Sequence, residues 1–117
     1  MQISRETEIA LEGSRISQFE GELAKFIRSR FSEEEERALD DTLKSVVEQV
    51  AHARRYGLDT EQSIATYAVT AWIMGLNFDS DFLDARQVLA SPFSPEEKAD
   101  WLEIWAPAVL ERLSRRG

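Results

Sequence analysis

Few side chains in this sequence could do acid–base work, and one row of them stands out: Glu48, His52 and Tyr56, at i, i+4 and i+8. On a helix that spacing puts all three on one side, as a proton relay requires. His52 is the only histidine, and the row falls roughly opposite Val50, so it reads as a polar stripe facing solvent. Asn77, Asp79 and Asp81 have the 1, 3, 5 spacing of a calcium loop, but Phe82 stands where that loop needs glycine and Val88 where it needs glutamate. Turn and capping chemistry accounts for these three. A di-iron bundle needs two Glu-x-x-His pairs and the sequence has none. With no cysteine there is neither a thiolate nucleophile nor a thiolate metal ligand. Gly-rich phosphate loops and Gly-x-Ser-x-Gly turns are also missing. No catalytic, metal or cofactor residue is nominated, and a non-enzymatic role is expected.

Aromatic and acidic residues point instead to recognition. Trp101 and Trp105 lie one helical turn apart, with Trp72 upstream, and tryptophan serves both cores and binding hot spots. Phe93 sits in the short Ser-Pro-Phe-Ser-Pro connection, where two prolines hold it in place. The chain carries 14 basic and 22 acidic residues, net −8. Nine of the acids lie between residues 59 and 103 against only Arg86 and Lys98, so that segment holds −7 of the charge. Such a balance repels nucleic acid and anionic lipid, and neither is expected as a partner. The candidate partner-binding residues are Phe78, Asp79, Asp81, Phe82, Asp84 and Phe93, which combine the acidic segment with aromatics near helix ends.

These residues need a scaffold, and the periodicity supplies a helical one. Composition, 43% hydrophobic and 31% charged over 117 residues, fits one folded domain and no apolar run approaches a membrane span. The opening Met1 to Ser14 has no basic region followed by an apolar one, so no secretory signal is read and the expected address is the cytoplasm. Phe19, Leu23, Phe26 and Ile27 predict a helix ending near Phe31. Ser32 with Glu33 to Glu36 is a capping box for the next, whose face is Leu39, Leu43, Val46, Val50 and Ala53. Gly57-Leu58 predicts a Schellman ending there, and Gly75-Leu76 a repeat of it after the following helix. That third helix, about residues 60–74, is apolar on more than half its circumference and is expected at the centre of the bundle. Phe82, Ala85, Arg86 and Leu89 mark a shorter helix, and Ser94-Pro95-Glu96-Glu97 opens the last, with a kink expected at Pro107. Trp72, Leu43, Val46, Val50, Phe26, Ile104 and Trp105 are the expected core. Together these signals predict an all-α, compact single-domain bundle of five to six short helices, over residues 17–114, preceded by a weakly ordered or helical leader over 1–16.

Phe19-Glu20, Ile27-Arg28 with Phe31, Tyr56-Gly57-Leu58, Tyr67, and Gly75-Leu76-Asn77-Phe78-Asp79 with Phe82 together resemble a group of small helical proteins encoded in bacterial type VI secretion gene clusters, beside spike, adaptor and toxic-effector genes. Ser91 to Trp105 fits the same arrangement more loosely, and Ser32 stands where the group has proline. The resemblance implies a protein-binding accessory role, an adaptor or chaperone for a secretion effector, with a cytoplasmic immunity protein that neutralises a toxin as the alternative. A small enzyme or ligand-binding regulator with a pocket between helices is the second alternative. The expected partner is a secretion effector or toxin encoded nearby, and a homodimer stays open beside it.

Overall fold

The computed structural model describes residues 9–11, 14–31 and 39–116. They form an all-α fold with six helices among the described residues and one short hairpin. The elements are β1 (Ile9–Leu11), β2 (Ser14–Ile16), α1 (Gln18–Arg30), α2 (Leu39–Arg55), α3 (Glu61–Met74), α4 (Phe78–Asp81), α5 (Leu83–Leu89) and α6 (Pro95–Arg116). The chain divides into two compact units, Met1–Val50 and Ala51–Gly117, with the boundary inside α2.

In the first unit, β1 and β2 pair antiparallel with Ile9 opposite Ile16. The leader is therefore not helical over these residues. Two residues separate the strands in sequence and one is Gly13, which disfavours a helix and suits a tight hairpin. Ser17 caps α1 through a capping box: its hydroxyl accepts from the Glu20 amide while the Glu20 carboxylate accepts from the Ser17 amide at 2.9 Å. The helix buries Glu20, Leu23, Ala24 and Ile27, which leaves Phe26 off the buried side and 44% exposed, with the Arg30 guanidinium over its ring at 5.5 Å. Phe26 is thus outside the core expected for it. On α2, Leu43, Val46 and Val50 are buried as expected. The Ser32 capping box lies outside the described residues.

The second unit begins with the end of α2, where the Schellman bonds are complete. Leu58 N donates to Ala53 O and Gly57 N to Arg54 O, both at 3.0 Å, with Gly57 at φ +85° and Leu58 fully buried. Thr60 then caps α3 reciprocally with Ser63. α3 packs along α6, and α5 packs on both α4 and α6. Trp72, expected in the core, is only half-buried: the inward side of α3 is Ile64, Tyr67, Ala68 and Ala71, and Trp72 lies at its edge. The second glycine ending differs from the first. Gly75 has φ +116° and ψ 143°, Leu76 is 38% exposed, and it is Phe78, two residues on, that turns inward. Asn77 takes the turn and cap position ahead of the short helix α4, without a side-chain cap bond, and Asp79 and Asp81 lie within that helix.

α6 opens as the sequence dictates, with Ser94 Oγ accepting from the Glu97 amide and Glu97 accepting from the Ser94 amide at 2.9 Å. It runs through Pro107 without a break, since proline sits on the exposed side where water can meet the carbonyl left unpaired. Leu102, Trp105, Ala106 and Val109 face the core. Ile104, expected there with Trp105, is 74% exposed, because neighbours on a helix diverge by about 100° and the larger ring takes the inward place. Among the described residues no helix is long and apolar enough to cross a membrane.

Candidate partner-binding site

The second unit gathers most of the chemistry-bearing residues, and a chain of aromatic rings organises them. Tyr56, at the end of α2, lies 6.0 Å from Tyr67 of α3; Tyr67 lies 5.0 Å from Phe78 of α4; Phe78 lies 6.1 Å from Trp105 of α6. Phe82 meets Trp105 edge-on at 5.3 Å, and Trp101 stacks on it at 5.2 Å with the planes 17° apart. Each contact adds to what burial contributes, and the tilts are those the ring quadrupoles favour.

Three polar bonds tie the rim of this chain together. The Tyr56 hydroxyl donates to Asp79 Oδ2 at 2.7 Å, Trp105 Nε1 to Asp84 Oδ2 at 3.0 Å, and Lys98 Nζ to the Tyr56 carbonyl at 2.7 Å. Lys98 is buried, so its ammonium sits against the negative end of α2, where the helix dipole and an otherwise orphaned carbonyl both favour a cation. Burial lowers its pKa from the ordinary lysine value. Burial pushes Tyr56 up to about 12, helped by its bond to Asp79 and that carboxylate's charge. Tyr67 is raised by burial and by Asp79 as well, and its hydroxyl has no hydrogen-bond partner among the described residues.

The candidate residues divide accordingly. Phe78 is fully buried between Tyr67 and Trp105 and offers no surface to a partner. Asp79 is half-buried and Asp84 exposed, but each accepts a bond that holds the unit together. Asp81 is exposed, Phe82 is half-buried against Trp105, and Phe93 is 49% exposed. The Phe93 connection is pinned as its prolines imply: Ser91 Oγ donates to Val88 O at 2.6 Å and accepts from Phe93 N at 3.3 Å. Leu83, 66% exposed between Phe82 and Asp84, is a surface residue the sequence reading missed. Its signal was there, in that it falls off the Phe82, Ala85 and Leu89 side of its helix.

The Glu48, His52, Tyr56 row does not form a relay. Glu48 is exposed, His52 and Tyr56 are half-buried rather than on the solvent side, and Tyr56 spends its proton on Asp79. His52 Nδ1 is buried without a partner among the described residues. Among those residues no three His, Asp or Glu side chains stand together as a metal-ligand set. No protein-family model, curated protein or solved structure matches this chain.

Proposed function

We propose that the chain is a non-enzymatic, protein-binding accessory protein, an adaptor or chaperone that holds a type VI secretion effector. The observation that carries this reading is the pairing of exposed apolar and acidic groups on well-pinned elements of the second unit. Leu83 and Phe93 project into solvent, Asp81 is exposed at the end of α4, and the bonds from Trp105 and Ser91 hold the backbone that presents Asp84 and Phe93. Apolar anchors held in place lose little entropy on binding, and the surrounding acids steer a basic partner. The secretion setting rests on the resemblance of Tyr56-Gly57-Leu58 and Gly75 to Asp79.

Affinity purification of the tagged full chain from its native host tests the reading. The expected result is one effector protein encoded nearby, bound over more than about 1,000 Å². Leu83→Glu and Phe93→Ala should each weaken that complex, and Asp81→Lys should weaken it more at low salt than at high salt. Recovery of no protein, together with saturable binding of a small molecule, would overturn the proposal. Rescue of cells from a neighbouring toxin by this chain alone would move the assignment to an immunity protein.

A further inference from the structure

α6 has satisfied its core on one side and still carries a large aliphatic side chain on the other. Lys98, Leu102, Trp105 and Val109 are buried, whereas Ile104, near mid-helix and roughly opposite Leu102, is 74% exposed. The outward stripe is Glu97, Ile104, Ala108, Glu111 and Arg115, whose steps of seven, four, three and four keep to one side of a helix. Its charge is split along its length. Glu96, Glu97, Asp100 and Glu103 precede or flank Ile104, while Arg112 and Arg115 lie at the far end, where Arg115 pairs with Glu111 at 2.9 Å.

We infer that a second copy of this chain covers this stripe, the two α6 helices lying antiparallel so that the acidic half of each meets the basic end of the other. A uniformly basic partner would meet repulsion at Arg112 and Arg115, and a uniformly acidic one at Glu97 and Asp100. An antiparallel copy meets neither, whereas a parallel copy sets acid against acid. The register follows from the numbering. Glu97 and Arg115 are equidistant from residue 106 and lie 18 residues apart, about five full turns, so both point the same way. A two-fold axis at residue 106 sets Glu97 of one copy against Arg115 of the other, and Ile104 against Ala108. Such an interface uses the same patch twice, and alanine at its centre lets the helices approach to about 8–10 Å. Arg112 then falls one level from the half-buried Trp101 of the other copy, within reach of its ring.

Sedimentation equilibrium of the full chain tests this. A reversible dimer is expected, tighter at about 50 mM than at about 500 mM salt. Ile104→Asp should weaken it more than about tenfold, and because the side chain is exposed in the single chain the melting temperature should not move at concentrations too dilute for the dimer to form. Two charge sets complete the test, each a single reversal: Arg112→Glu sets an acid against Asp100 of the other copy, and Asp100→Lys sets a base against Arg112, while Glu97 and Arg115 are kept. Each set alone should weaken self-association, and mixing the two should restore a heterodimer. A monomer at every concentration up to about 1 mM overturns the inference. So does a dimer indifferent to Ile104→Asp and to both charge sets.

Discussion

Tyr56 and Tyr67 are the only tyrosines in the chain, and both hold their protons beyond the usual phenol range, which makes them an optical probe of the second unit. Phenolate absorbance of the native protein should therefore stay flat through pH 10 and rise only as Tyr56 titrates near 12. The sign for stability follows directly. Below about pH 10 both tyrosines are protonated whether folded or not; between 10 and 12 the unfolded chain releases protons that the folded one keeps bound, so stability falls across that window. Lys98 acts in the opposite sense: folded, it releases its proton below the ordinary 10.5, so stability rises as pH climbs toward that value. Tyr56→Phe should cost about 1 kcal/mol at neutral pH and flatten the alkaline decline, read from denaturant midpoints at pH 9 and 11. None of this was legible in the sequence. A lysine after Ser-Pro-Glu-Glu reads as a solvated first-turn residue, and only the approach of α2's last turn buries it. Phe78 was misplaced for a related reason: nothing local tells an aromatic just past a glycine stop whether it turns inward.

Helix ends were the most legible elements, because their signals are local. Ser94 to Glu97 and the Gly57-Leu58 ending form the bonds their residue types demand. The same logic would have placed Ser17 and Glu20, a Ser-x-x-Glu pair that the reading passed over. Faces were less legible, since Ile104 and Trp105 are equally apolar and only the packing of α3 against α6 chooses between them. The two glycines show where a shared motif hides two geometries. Alanine at Gly57 or Gly75 should destabilise by about 1 kcal/mol or more, because both have positive φ. Asparagine should recover part of that at Gly57, whose Schellman turn is left-handed, and none at Gly75, whose φ and ψ are open to glycine almost alone. Thermal melts of the four variants check both statements. Trp72→Ala should cost less than the roughly 3–5 kcal/mol of a fully buried aromatic, in keeping with its half-exposed place on α3.

At the scale of the whole molecule, the net charge of −8 is concentrated between residues 59 and 103, and its members are not equivalent. Asp79 and Asp84 receive bonds from Tyr56 and Trp105, whereas Asp81 is exposed at the end of its helix. Charge reversal at Asp79 or Asp84 should lower the melting temperature by several degrees, and Asp81→Lys should leave it unchanged within about a degree. By spacing the three form one acidic patch, since spacing alone cannot reveal a hydrogen bond from a side chain more than 20 residues away. The tie from Lys98 to Tyr56 carries one more consequence, for chemical labelling. The chain has three lysines, of which Lys25 and Lys44 are exposed while Lys98 is shut away at the junction of α2 and α6. An amine-acylating reagent should therefore modify two lysines promptly, and the third only in molecules where α6 has lifted from that turn. The delay before the last adduct in a mass spectrum becomes a clock for the opening of the fold, needing no dye, no tag and no engineered probe.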